Sequence, residues 1–83
     1  MPNAEFQAAV DRVNGLTKDP GNETKLRMYA LYKQATQGDV AGKRPGFTNP
    51  VGRAKYDAWA KLKGTSAEQA QASYIAEAGA LSD

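Results

Sequence analysis

The sequence predicts an all-α domain, a four-helix bundle with one long loop between its second and third helices. Three observations carry that expectation. Apolar residues recur at three- and four-residue steps in four separate segments. No segment shows the two-residue alternation of a half-buried strand. Clusters of turn-forming residues separate the four segments. Eighty-three residues make a single domain, 1–83. So short a chain buries about 60–65% of its unfolded surface, so the core must be thin.

The first helix is expected from Asn3 to Gly15, with Phe6, Ala9, Val10 and Val13 as its apolar stripe and Gly15 as its stop. "TKDPGN" then makes a turn. Asn22 is placed to cap a second helix that runs to Gln37 and ends at Gly38. "GDVAGKRPGFTNPVG" reads as the long loop, and loops of that length in small domains are often functional. A third helix is expected from Arg53 to Lys63, ended by Gly64. "TSAEQ" offers two overlapping capping boxes, Thr65 with Glu68 and Ser66 with Gln69. The fourth helix follows, with Ala70, Tyr74, Ala78 and Leu81 on one stripe.

The second helix has an unusual surface. At about 100° per residue, Met28, Leu31 and Ala35 share one side, and Leu26 and Ala30 lie nearly opposite. A helix with two apolar stripes is covered twice. Between the stripes runs a strip of rings and cations: Lys25, Tyr29, Tyr32, Lys33 and Thr36. Rings at a core margin and snorkelling lysines would account for it in an ordinary helix. The third helix, however, repeats the mixture with Lys55, Tyr56, Trp59 and Lys63. Trp59 is expected in the core, bracketed by the two lysines. Two such faces could together hold an anion attached to a flat ring.

The net charge of +2 hides a segregation. From Lys25 to Lys63 there are nine cations against Asp39 and Asp57, a net of +7. Residues 1–24 sum to −2 and residues 64–83 to −3. A basic middle suggests an anionic partner, unless the acidic ends neutralise it on folding.

Several chemistries are excluded or disfavoured. The chain has no Cys and no His, which removes disulfides, thiolate nucleophiles, Cys/His zinc sites and imidazole acid–base work. Ser66, Ser73 and Ser82 have no histidine to activate them, and the carboxylates are scattered. No catalytic residue, metal ligand set or cofactor is expected. "GDVAGKR" has three residues between its glycines where a phosphate loop has four, and it follows a helix. No apolar run reaches the roughly 20 residues that span a membrane, and no signal segment opens the chain. A soluble intracellular protein is expected, in which the sequon at Asn22 stays unglycosylated. A carrier for a ligand with a nucleotide-like head and an apolar tail fits the residues. Stacking on a ring is worth about 1–3 kcal/mol, charge-assisted bonds would hold phosphates, and each buried methylene adds about 0.8 kcal/mol. The alternative is a small helical interaction module or a single-stranded nucleic-acid-binding module, disfavoured by the acidic ends.

"LYKQATQGD", then "RPG", "GRAKYDAWAKLKGTSAEQA" and a late "YI" resemble the acyl-CoA-binding protein family, with spacing intact from Phe6 to Leu81. The resemblance implies a bundle in up-down-down-up order forming a shallow bowl. It implies a non-catalytic cytoplasmic carrier, expected monomeric, that binds long-chain fatty acyl-CoA, with no nucleic acid and no stable membrane insertion. By family position Tyr32 stacks on adenine, Tyr29, Lys33 and Lys55 meet the head group and its 3′-phosphate, and Tyr74 lies near the head group. Ala9, Val13, Leu26 and Ala54 would touch the acyl chain. The sequence departs from the family at Asn14, where a basic residue is common, and at Tyr56, where a tryptophan is common. It also lacks a lysine-rich tail. Binding with a weaker electrostatic part is implied.

Overall fold

In the computed structural model, which describes residues 4–81, four helices and no strand are present among the described residues. They are α1 (Ala4–Asn14), α2 (Asn22–Gln37), α3 (Pro50–Ala60) and α4 (Ala67–Ala80). The expected start of the first helix at Asn3 lies outside the described residues. Its expected stop holds: the Gly15 N–H donates to the carbonyls of Asp11 and Arg12.

Three helix ends differ from the sequence expectation. Asn22 is not the cap of α2 but its first residue. The cap is Gly21, at φ 97°, with no side-chain bond from the cap residue. Asp19 governs this corner instead, accepting from the Gly21 N–H at 2.8 Å and pairing with Lys25. α3 begins three residues before Arg53. The Asn49 side chain accepts from the Gly52 N–H at 3.1 Å, and Pro50 fills the first turn, where a missing N–H costs nothing. Gly52 permits that closure, because a Cβ there would stand 2.5 Å from Asn49 Nδ2. α3 also ends at Ala60, and residues 61–64 tighten into a turn in which Lys63 N–H donates to Ala60 O. At α4, Ser66 accepts from the Gln69 N–H at 3.1 Å, so the second of the two candidate boxes supplies the cap.

The side-chain bonds give the helix directions. Arg27 near the start of α2 reaches Glu77 near the end of α4, and Gln34 near its end reaches Thr65 before α4, so these helices are antiparallel. Arg12 reaches the Leu81 carbonyl, which sets α1 parallel to α4. Asn22 and Leu26 lie beside Pro50, Val51 and Ala54, and Ala30 and Leu31 beside Ala58 and Leu62, which sets α2 parallel to α3. The order is up-down-down-up. α2 packs against α3 on one flank and α4 on the other, while α1 packs on α4. The result is a slab, 34 × 29 × 14 Å.

Both apolar stripes of α2 are covered, as its sequence requires. Met28, Leu31 and Ala35 join Phe6, Ala9, Val10, Ala70, Tyr74 and Ala78 in the core. Ala30 is buried on the α3 side. α3 itself has no fully buried residue, because it rests on α2 alone. For that reason Trp59 is half-buried and outside the core, contrary to the sequence expectation; its indole Nε1–H donates to Gly38 O at 2.8 Å. The same corner holds a polar lock. Gln34, fully buried, donates from Nε2 to Asp39 Oδ1 and to Thr65 O, both at 2.8 Å, and the Gly64 N–H donates to the same Asp39 oxygen. These bonds fasten the end of α2 to the α3–α4 connection and hold the Asp39 carboxyl below its ordinary pKa.

Candidate functional site

The strip of rings and cations on α2 faces a hollow that the packing leaves open. The backbones of α1 and α2 stand apart, bridged by side chains such as Phe6 and Tyr32, and part of the space between them is a cavity of about 310 Å³. Val10, Val13 and Asn14 line it from α1, Pro20 from the turn, Lys25, Met28, Tyr29 and Tyr32 from α2, and Tyr74 from α4. Three rings brace one wall. Phe6 lies 6.0 Å from Tyr32 in a stacked arrangement and 5.2 Å from Tyr74 edge-on, with Tyr32 and Tyr74 6.5 Å apart. Tyr74 is 3% exposed and Tyr32 is 41% exposed, so the first acts as the support and the second presents ring surface to solvent. Burial, and then the neighbouring Tyr32, push the Tyr74 phenol above its ordinary pKa. It therefore stays neutral in neutral solution and does not repel an anion.

The cations gather on the next ring along α2. Lys33 Nζ lies 5.8 Å from the Tyr29 ring centroid, and Lys55 Nζ, arriving from α3, lies 5.3 Å from it. Lys33 Nζ is also 5.6 Å from the Trp59 ring. Such contacts are favourable by about 0.5–1 kcal/mol at exposed sites. No carboxylate lies within salt-bridge distance of Lys33 or Lys55 among the described residues. Two ammonium groups are thus held on one ring without a counter-charge, a concentration of positive charge suited to an anion.

A second hollow adjoins the first. Asn22, Lys25, Leu26, Pro50, Val51, Ala54 and Lys55 line an apolar shelf of about 370 Å³ between the starts of α2 and α3. Lys25 borders both hollows, and Lys55 borders the shelf and the Tyr29 ring. The structure therefore brings Tyr29, Tyr32, Lys33 and Lys55 onto one continuous surface, with the buried Tyr74 at the floor of the ring cavity. Leu26 and Ala54 meet on the shelf, and Val13 lines the ring cavity. Ala9 stands apart, packed in the core by the stripe that α1 turns toward α4.

Lys25, Phe6, Pro50 and Val51 were not singled out by sequence as site residues. The 100° step did place Lys25 on the strip. Pro50 and Val51 were hidden because the helix start at Asn49 was read as loop. Asn14 lies on the cavity wall. The Tyr56 hydroxyl donates to Gly42 O at 3.0 Å, so this residue ties the long loop to α3. A larger hollow of about 470 Å³ opens on the far side of α2 and α3. Its rim mixes Glu23 and Asp57 with Arg27 and Lys61, of which Arg27 and Asp57 are paired with Glu77 and Arg44, and no aromatic ring lines it, so it offers neither a stacking surface nor a net positive charge. Among the described residues no group of acids could hold a metal ion, and no helix is long and apolar enough to cross a membrane.

The sequence model of the family described as "Acyl CoA binding protein" matches residues 3–78. The chain belongs to the acyl-CoA-binding protein family. It is 45% identical over 75 residues to the acyl-CoA-binding protein homolog of Drosophila melanogaster, covering 90% of this chain and 87% of that one. It is 46% identical over 78 residues to enoyl-CoA delta isomerase 2 of Rattus norvegicus, where it covers 94% of this chain but spans only 20% of the relative's length. The crystal structure of Oryza sativa acyl-CoA-binding protein 2 superposes with a TM-score of 0.89 at 43% identity, covering 93% of this chain and 84% of that one. The four-helix bundle is thus the fold of the acyl-CoA-binding protein family, here with its ring-and-lysine surface on the face between α1 and α3.

Proposed function

We propose that this chain is a non-catalytic carrier that takes one long-chain fatty acyl-CoA per molecule. The observation that carries the proposal is the convergence of Lys33 and Lys55 on Tyr29, unpaired, beside an apolar shelf. In this reading the adenine stacks on the exposed face of Tyr32. Lys33 and Lys55 hold the 3′-phosphate, with Tyr29 as the surface between them. Tyr74 supports the head group from below. The acyl chain lies along Val13, Leu26 and Ala54, while Ala9 acts from the core behind. A chain of a dozen buried methylenes contributes on the order of 10 kcal/mol gross, before ordering costs. The ligand therefore needs both halves of the site.

The same reading makes the chain a monomeric cytoplasmic pool-former and transporter with no nucleic-acid partner and no stably inserted membrane segment. Calorimetry tests it with palmitoyl-CoA, free CoA and free palmitate. The expected result is saturable one-to-one binding of the ester, much weaker binding of CoA and near-inert palmitate. Equal affinity for the free acid and the ester would overturn the proposal, because the anion site would then contribute nothing.

A further inference from the structure

Among the described residues, the large apolar or aromatic side chains left exposed are Tyr32, Phe47 and Val51. Tyr32 belongs to the ring cavity. Phe47 is 84% exposed and Val51 65% exposed, and neither joins the core. Their exposure is built in. Phe47 sits in a turn closed by the Asn49 N–H donating to Gly46 O at 2.9 Å. Asn49 then caps α3, and Val51 follows in its first turn. A closed turn and a capped helix start thus hold both side chains out into water.

One exposed apolar side chain is ordinary; the charge around this pair is not. From Val40 to Tyr56 the chain carries Lys43, Arg44, Arg53 and Lys55 and no acid. Arg44 is engaged by Asp57, while Lys43, Arg53 and Lys55 lie within salt-bridge distance of no carboxylate among the described residues. The Arg53 guanidinium rests 5.9 Å from the centre of the Phe47 ring. Asp57, paired with Arg44, also acts on Arg53 at longer range, and the apolar tip is flanked by net positive charge.

We propose that this edge docks on an anionic membrane surface, with Phe47 and Val51 entering the interface and Lys43 and Arg53 meeting lipid headgroups. A bilayer fits these features better than a protein partner. Phe47, projecting from its turn, lines none of the hollows described above and so offers a protein partner no groove to fill. Cations on both the loop and the helix match a fluid charged plane without needing a fixed partner for each. With only two apolar side chains and a few charges, the contact is reversible and needs both terms. The edge also adjoins the shelf, since Pro50 and Val51 line it. Docking would set the open shelf against the lipid, and a hydrocarbon chain could pass between them with little exposure to water. That link rests on the carrier reading, whereas the membrane contact does not.

Vesicle co-sedimentation tests the contact on the whole chain, with phosphatidylcholine alone and with phosphatidylcholine containing phosphatidylserine. Binding is expected only to the anionic vesicles and is weakened by salt. Phe47→Ser is expected to lower the partition coefficient about tenfold, and Lys43→Glu at least about fivefold. Phe47→Trp places a reporter at the tip, and brominated lipids should quench its added fluorescence. The ligand titration without vesicles is run on the same variants. Phe47→Ser and Lys43→Glu should bind palmitoyl-CoA as the parent does, so failure of the carrier reading shows in that arm alone. Absence of vesicle binding by the parent at low salt, or binding unchanged by Phe47→Ser with an unquenched Phe47→Trp, would overturn the proposal.

Discussion

Replacing Lys33 by methionine keeps the side chain's length and removes its charge, so it isolates what the ammonium group does. The geometry predicts little effect on stability and a clear loss of binding. Lys33 Nζ and Lys55 Nζ lie 5.8 and 5.3 Å from one ring centre, so they are no more than about 11 Å apart. At that distance two like charges repel by about 0.4 kcal/mol in water, and salt reduces this further. The two lost cation–π contacts, with Tyr29 and Trp59, cost about 0.5 kcal/mol each and slightly outweigh the relief. Lys33→Met should therefore leave the unfolding free energy within about 1 kcal/mol of the parent. Binding should behave otherwise. A hydrogen bond to a charged group is worth about 1.5–3 kcal/mol when buried, and partial exposure here reduces it toward 1–1.5 kcal/mol. The dissociation constant for palmitoyl-CoA should rise about five- to tenfold, with the same for Lys55→Met. The acyl ester of CoA lacking its 3′-phosphate should already bind the parent more weakly, and the two substitutions should then cost little more. Urea unfolding and calorimetry with both ligands complete the cycle. If both variants bound both esters with the affinity of the parent, or lost equally toward both, the lysines would not hold the 3′-phosphate.

Further outcomes follow from named contacts. Tyr32→Ala should weaken ester binding by about 1–3 kcal/mol, and Tyr32→Phe by far less, because the ring and not the hydroxyl does the stacking; equal losses in calorimetry would exclude stacking. Gly52→Ala should expel the Asn49 side chain and cost about 0.5–2 kcal/mol in urea unfolding. Adding it to Asn49→Ala should then cost little further, and additive losses would show that the cap is not what Gly52 serves. The Asp39 carboxyl is held below its ordinary value of 3.8 by the Gly64 N–H and by Gln34. A depressed folded-state pKa stabilises above the unfolded value and is lost as pH falls through the folded one. Stability should therefore drop below about pH 4, by less in Asp39→Asn than in the parent. The urea midpoint at pH 6 and pH 3 reads this, and an identical drop in both chains would remove Asp39 from the account.

The sequence alone determined the helices and the chemistry offered to a ligand. The stripes of α2 were legible because side-chain direction in a helix follows from residue number, at about 100° per step. Two stripes on one helix announced that α2 would be central, and the strip between them already held Tyr29, Tyr32, Lys33 and Lys25. Helix ends were less legible where one residue type has two uses. Asn22 can cap a helix or begin one, and Pro50 reads as loop although a first turn accepts it. Only the sequence after folding, with Asn49 bonded to the Gly52 N–H, distinguishes them.

Tertiary structure decided what lies beside what. Lys33 and Lys55 are 22 positions apart, and nothing local brings them to one ring; the parallel seating of α3 on α2 does. The same arrangement, with α3 covered on one flank only, kept Trp59 out of the core. It also left a shelf beside Leu26 and Ala54, while the packing of α1 on α4 put Ala9 into the core behind the site. Periodicity fixes a side chain's angle about its own helix axis. Its distance to a residue on another helix depends on which helices pack and in which direction, and that is settled only when the whole chain buries its apolar surface together.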